Sequence, residues 1–248
     1  MSRLSVRQDY RRDAMVLWDT HPNRLLDAWG SNVYKFIQDF GQPPVLSAAD
    51  TLLGWTTTLV EAGAGESTVT EDDLEGGVLL LTTDAAEDDG ITLQADNRMF
   101  KLVDPVEVVY FGVRLKMSDA TQSDLLVGLG VADTTPLGGI ADAVFFDKVD
   151  GATAIRMTTE KGSTRTNTTA AAVFAADTYK ILEFYADILN SRIYFYIDGV
   201  REATHTANIP NDTILTPTIQ FLAGAAAAKT LRWDWIRCIA IGGRDDQT

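Results

Sequence analysis

The stretch 192-RIYFYIDGVREATH-205 decides the fold. Ile193, Phe195 and Ile197 alternate with Tyr194 and Tyr196, so a strand here is apolar on both faces. Asp198-Gly199 supplies two residues that tolerate positive φ in a tight hairpin turn, and Val200 starts the return strand. Such a strand sits inside a sheet, over a core on one side and beneath another layer on the tyrosine side.

The same reading extends in both directions. Runs such as 78-VLLLT-82, 91-ITLQA-95, 125-LLVGLGV-131, 143-AVFFDKV-149, 153-TAIRM-157, 179-YKILEFYAD-187, 217-PTIQFLAG-224 and 230-TLRWDWIRCIAI-241 read as strands, separated by turn chemistry such as DDG, VDG and DG. In 106-VEVVYFGVRLKM-117, Glu107, Val109, Phe111, Val113, Leu115 and Met117 share one side, almost wholly apolar, which must face a core. Leu182, Phe184 and Ile188 are read inward in the same way. No long helical period and no fixed repeat interrupts this series. More than ten antiparallel strands with a continuous apolar supply predict two packed sheets over residues 46–248.

The totals agree with that class. In 248 residues, 46% are hydrophobic and 23% charged, an ordinary globular balance. A net charge of −14 argues against nucleic acid, whose phosphates need clustered Lys and Arg. The acid is concentrated: Asp50 to Asp104 holds 13 acidic residues against Arg98 and Lys101. Cys238, the single cysteine, excludes an internal disulfide and reads as a small buried hydrophobe. No run approaches the roughly 18 apolar residues of a membrane span, and no secretory apolar run follows the first basic residues. These features predict synthesis in a reducing cytoplasm and no membrane partner.

Residues 1–45 read differently. Leu26, Trp29, Val33, Phe36, Ile37 and Phe40 recur at spacings of three and four, which suits an amphipathic helix capped by Asn23 and ended by Gly41 and Pro43-Pro44. A short isolated helix is marginal, so this stripe must dock on its own domain or on a neighbour. The expectation is a helical or extended N-terminal arm that uses those six residues as a contact.

Taken together, 110-YFGVRLKM-117, 125-LLVGLGVAD-133, 145-FFDKVDG-151, 179-YKILEFYAD-187, 194-YFYIDGV-200 and 231-LRWDWIRCIAI-241 resemble the concanavalin A-like, or laminin-G-like, jelly-roll β-sandwich. With 80-LLTTDAAEDDGITLQ-94 ahead of the long strand, the chain is similar to virion proteins of tailed bacteriophages. That resemblance implies an all-β structural protein on a phage capsid, a decoration or cement protein. Its implied partners are the major capsid protein and its own copies in a homotrimer, and its implied location is the virion surface. It implies no enzymatic activity.

Two further readings stay open. Tyr194, Tyr196, Trp233 and Trp235 form a candidate aromatic face for a sugar ring, as in a lectin-like fibre or tail module, or for an intersubunit contact. The second is a glycosidase. Enzymes of this jelly-roll superfamily use a Glu-x-Asp-x-Glu strand with one Glu as nucleophile and another as acid/base, and Glu71, Asp73 and Glu75 match that spacing. The intervening Asp72 and Leu74 and the position ahead of the jelly-roll strands favour a solvated acidic loop, so no catalytic residue is assigned. His21 and His205 lie too far apart to predict a zinc site. The acids of 84-DAAEDDG-90 and the pair Asp147 and Asp150 are weak calcium candidates, and no cofactor is expected.

Overall fold

The computed structural model describes residues 6–11, 14–20, 23–40, 52–61, 65–72, 74 and 76–242. Three short strands, β1 (Val6–Arg11), β2 (Ala14–Thr20) and β3 (Asn23–Trp29), form a small antiparallel sheet in that order. The chain continues through β4 (Val33–Gln38), β5 (Trp55–Val60), β6 (Thr68–Asp72), β7 (Val78–Thr82), β8 (Gly90–Ala95) and β9 (Phe100–Lys101). Then come β10 (Val106–Met117), β11 (Ser123–Gly130), β12 (Ala143–Lys148), β13 (Ala154–Lys161) and β14 (Thr164–Val173). The last five are β15 (Lys180–Asp187), β16 (Arg192–Ile197), β17 (Val200–His205), β18 (Ile214–Ala223) and β19 (Thr230–Gly242).

Two large antiparallel sheets take up most of these strands. One runs β17-β16-β15-β10-β19-β7-β6, with β4 on the edge of β19 beyond β7; the other runs β14-β13-β12-β11-β18-β8-β5, with β9 beside β18. They face each other as a sandwich, as the alternation predicts. Ile193, Phe195 and Ile197 point into the core and are at most 1% exposed. Phe195 meets Phe146 of the opposite sheet edge-on, with centroids 5.4 Å apart, and Phe111 stacks on Phe184 at 5.0 Å. Each such ring brings roughly 1.5–3 kcal/mol of burial to the pairing of the layers. Asp198 and Gly199 both hold positive φ (49° and 79°), as the hairpin turn requires. Asp198 Oδ1 also accepts a hydrogen bond from the Ile181 amide at 2.9 Å, which ties the turn to β15. Cys238 is buried, and burial pushes its thiol pKa up.

The N-terminal helix does not form; the extended alternative does. Leu26 and Trp29 lie on β3, Val33, Phe36 and Ile37 on β4, with a turn at Gly30–Asn32 between them. The intervals of three fall within single strands, Leu26 to Trp29 on β3 and Val33 to Phe36 on β4, and the interval of four, Trp29 to Val33, crosses the turn. β19 offers a free edge beyond the end of β7, and β4 fills it, pairing Phe36 with Cys238 and Ile37 with Arg237. Phe36 packs on the sandwich core and Phe40 is buried against Trp233, whereas Ile37 and Trp29 remain exposed. Gly41, Pro43 and Pro44 lie outside the described residues.

His205, on β17, spans the two sheets. Its Nδ1 lies 3.1 Å from Thr159 Oγ1 on β13 and its Nε2 2.9 Å from Thr168 Oγ1 on β14. The ring is buried against Phe195, and burial lowers its pKa below the usual 6.5 because the imidazolium is the poorly solvated form. The unfolded chain then binds more protons than the folded one below that value, so stability is fully present above about pH 6.5 and falls as the pH drops. Urea unfolding between pH 7.5 and 5 should lose at most about 1.4 kcal/mol per pH unit from this group. His205→Asn should flatten that part of the profile; an unchanged slope in the variant would remove His205 as its source.

Candidate functional site

The outer face of the first large sheet is apolar at one end. Val108, Tyr110, Ile239 and Ile241 point away from the core there, and such a surface needs a cover. The small N-terminal sheet supplies it. Ala14, Val16 and Trp18 on β2 and Leu25 and Ala28 on β3 bury themselves against those four residues. This is the layer required above the tyrosines, and the chain provides it from its own N-terminal end.

A pocket of about 470 Å³ opens where that cover stops, inside the usual range for small-molecule sites. Tyr110, Tyr185, Tyr194 and Tyr196 line its floor, Trp18 and Arg7 form the wall from the N-terminal sheet, and Glu107, Glu183, Asp187, Asn190 and Arg201 supply polar groups. Cross-strand register explains the floor: Tyr110 sits opposite Tyr185, and Tyr185 opposite Tyr194. The rings of Trp18, Tyr185 and Tyr194 follow one another at 6.1 and 6.5 Å between centroids, and Arg201 lies 5.9 Å from the Tyr194 centroid.

Glu183 is the buried carboxylate of this pocket, only 3% exposed. Tyr110 Oη donates to Glu183 Oε1 at 2.6 Å, a short charge-assisted bond that fixes the carboxylate on the sheet. Gly112 makes this bond possible. It lies opposite Glu183, and a Cβ there would sit 2.4 Å from Tyr110 Oη, in the space the phenol crosses. Asp187, at the other end of β15, accepts from the amide and the side chain of Asn190 at 3.2 and 2.8 Å. Burial raises the pKa of Tyr196, with Arg201 acting in the opposite sense, so the phenol stays a neutral donor. Aromatic faces with convergent carboxylate, amide and guanidinium groups suit a polyhydroxylated ligand. The rings pack on its C–H faces and the polar groups pair with its hydroxyls.

The four aromatic residues singled out from sequence divide. Tyr194 and Tyr196 line the pocket, and Trp235 lies on the same outer face beyond it. Trp233 points the other way, wholly buried in the core, so it is no part of a ligand platform. A bulge at Asp234 causes the split: Arg114 pairs with Trp235 but Leu115 with Trp233, so two tryptophans two positions apart face opposite sides. Sequence reasoning missed Glu183, Tyr110 and Arg201. The signal for Glu183 was a lone acid between outward Ile181 and Tyr185; Tyr110, 73 positions away, has no local signature.

The Glu-x-Asp-x-Glu string is placed unlike a catalytic strand. Glu71 is exposed on β6, the edge strand of its sheet, and Asp72 pairs with Arg232 Nε at 2.5 Å; Asp73 and Glu75 lie outside the described residues. His21 also lies outside them. Among the described residues no group of three or more His, Cys, Asp or Glu is arranged to hold a metal ion. Asp147 instead accepts from Arg156 and Thr158, and the Asp150 amide donates to Asp124.

The chain is similar to an endo-1,3-β-glucanase from Streptomyces sioyaensis, at 14% identity and a TM-score of 0.57 over 88% of this chain and 99% of that one. The Bacillus licheniformis β-glucanase is similar at 13% identity and a TM-score of 0.56, over 85% and 98%. The potassium-bound carbohydrate recognition domain of Emp46p is similar at 9% identity and 0.56, over 81% and 94%. The fold is the concanavalin A-like jelly roll of glucanases and lectins. No family model matches the sequence, and no curated protein is similar to it. At these identities the likeness concerns the fold. It nonetheless corrects two expectations: these neighbours are glucanases and a carbohydrate recognition domain, not particle proteins, so neither the capsid-cement role nor the absence of enzymatic activity stands.

Proposed function

We propose that this chain is a carbohydrate-active protein that takes a glycan in the tyrosine-lined pocket of its outer sheet face. One observation carries the reading: four tyrosines and the fixed Glu183 carboxylate converge in a single cleft roofed by the N-terminal sheet. The glucanase and carbohydrate-recognition descriptions of its structural neighbours support the ligand class. In this reading Tyr194 and Tyr196 carry the sugar ring, Arg201 and Asn190 pair with hydroxyls, and Glu183 is the group positioned to accept or deliver a proton.

Hydrolysis is the second reading, and the carboxylates of the pocket favour testing it. Glu183 and Asp187 are four residues apart on one strand, about 13 Å along it, beyond the separations of roughly 5–5.5 Å and 6.5–9.5 Å that retaining and inverting enzymes use. Glu107 is closer to Asp187 in register, since its neighbour Val108 pairs with that residue.

Calorimetry and reducing-sugar release on a panel of soluble polysaccharides test both readings. Tyr196→Ala should weaken glycan binding about ten-fold, the ~1.4 kcal/mol expected for one aromatic contact, while Tyr10→Ala, on the exposed edge of β1, should bind as the parent does. Turnover lost in Glu183→Gln with binding retained would establish hydrolysis. The proposal does not survive if no glycan binds, or if Tyr196→Ala binds unchanged.

A further inference from the structure

The outer face that carries the pocket is bipolar in charge. At the end beneath the N-terminal sheet lie Glu107, Glu183 and Asp187. Beside and beyond them on the same face, bases gather: Arg237 on β19 shares the rung of Glu183, and Arg114 and Lys116 on β10 and Arg232 on β19 follow toward Met117. Register makes this one patch, because Arg237 pairs with Gly112, Arg114 with Trp235 and Lys116 with Arg232.

Two features distinguish the patch from an ordinary solvated surface. The chain has 35 acidic residues against 21 basic ones, so carboxylate partners are abundant. Arg114 and Arg232 have taken one each, Asp234 and Asp72. Lys116 and Arg237 have none within ion-pair distance among the described residues, and both are half-buried. They rest instead on aromatic rings: Arg237 lies 4.8 Å from the Trp235 centroid, and Lys116 5.0 Å and Arg114 3.8 Å from that of Tyr179. An aromatic surface beside an uncompensated cation is the pairing that a sugar ring bearing an anionic group would meet, ring on ring and charge on charge. The strands of Trp235 and Tyr196, β19 and β16, lie three strand spacings apart, about 14 Å, so patch and pocket share one sheet face.

We infer that the glycan is an anionic polysaccharide, its rings bearing carboxylate or sulfate, which runs from the tyrosine pocket over the Tyr110 ring that covers Gly112 onto the Trp235–Arg237 and Tyr179–Lys116 pairs. The inference rests on the glycan reading of the pocket and adds the charge of the ligand. Nucleic acid fits less well: its charge density would meet few cations on a body of net charge −14. A sugar chain with about one charge per ring matches their sparse placement.

The test compares a polyuronate, a sulfated galactan, a neutral β-glucan and duplex DNA on the full chain, each titrated at about 50 and 500 mM salt. The polyuronate or the galactan should bind at least ten-fold tighter than the neutral chain at low salt, and high salt should remove most of that preference. Whichever of the two binds tighter identifies carboxylate or sulfate as the recognised group. The double variant Lys116→Gln/Arg237→Gln should lose about ten-fold toward that ligand, keep its thermal midpoint, and lose markedly less toward the neutral glucan, so that the preference for the anionic chain falls. Equal, salt-insensitive binding of neutral and anionic chains would overturn the charge assignment and leave the pocket reading standing. Binding of none of the sugars would overturn both. DNA bound as tightly as the polysaccharides would overturn the inference in favour of a general polyanion surface.

Discussion

Trp233→Ala should destabilise the sandwich by about 3–5 kcal/mol, the range for removing a large ring from a well-packed core. Trp233 is wholly buried and meets Phe40 and Trp55 edge-on at 5.2 and 5.3 Å, while Trp55 meets Phe36 at 5.3 Å. These rings join β19, β4 and the segment after it to β5 of the opposite sheet, so truncation loosens both layers at once. It also removes the indole N–H that donates to the Trp235 carbonyl at 3.1 Å, which leaves that oxygen without its donor. For a chain of this size, 1 kcal/mol moves the thermal midpoint by roughly 2–4 °C, so a fall of about 10 °C is expected. Trp235→Ala, two positions on and on the outer face, should stay within about 1 kcal/mol of the parent. Matching melts for the two variants would mean that the bulge at Asp234 does not separate them.

That pair also shows where the sequence was legible. Strict alternation identified β10 and β16 and placed the core face of β16 throughout and that of β10 from Val109 onward; at the start of β10 a bulge turns Val106 to the core and leaves Glu107, read as core-facing, lining the outer pocket. It failed on β19, since one extra residue in a bulge reverses every later side chain, and nothing in 230-TLRWDWIRCIAI-241 announces the insertion. It failed again before residue 40. There apolar residues of two separate strands happen to fall at helical intervals, and the vacant edge that recruits β4 exists only once β19 is assembled.

The candidate site was half legible for the same reason. Tyr194 and Tyr196 stood out because a doubly apolar strand demands an explanation within a few residues. The remainder of the pocket depends on contacts far apart in the chain: Tyr110 with Glu183, Trp18 with Tyr185, and the space over Gly112. A glycine among apolar residues reads as a packing device, and here the atom it makes room for belongs to its neighbour two positions back. The family resemblance conveyed the architecture from strand patterns, which are set by burial. The role drawn from it failed because that role would be set by a handful of surface groups that the patterns do not constrain.

Lys148→Met should cost about as much as the core tryptophan, roughly 3–5 kcal/mol, although it removes a charge from the interior. Lys148 is wholly buried at the end of β12, where its Nζ donates to the backbone carbonyls of Thr121, Ser123 and Val149. Asp124, Asp150 and Asp119 surround it closely enough to favour its charged form, while burial, the larger influence, lowers its pKa. Methionine has nearly the same length and would fill the space, so packing alone predicts a small effect. The three carbonyls would nonetheless lose a donor in a place water reaches poorly, and Asp124 would lose its neutralising cation. Asp124 is already raised above the usual carboxylate range, first by burial and then by Asp150, against the amide of Asp150 and Lys148, which lower it. Without the lysine it must rise further. A carboxyl whose folded pKa exceeds its unfolded value of about 3.9 stabilises the fold below that value, and the contribution is lost as the pH climbs through the folded pKa. The variant should therefore be weakest relative to the parent at neutral pH and recover part of the difference toward pH 4. Urea unfolding of both proteins between pH 4 and 8 measures this, and a penalty independent of pH would assign the loss to the carbonyls alone. A variant as stable as the parent at pH 7 would show that neither group depends on the ammonium.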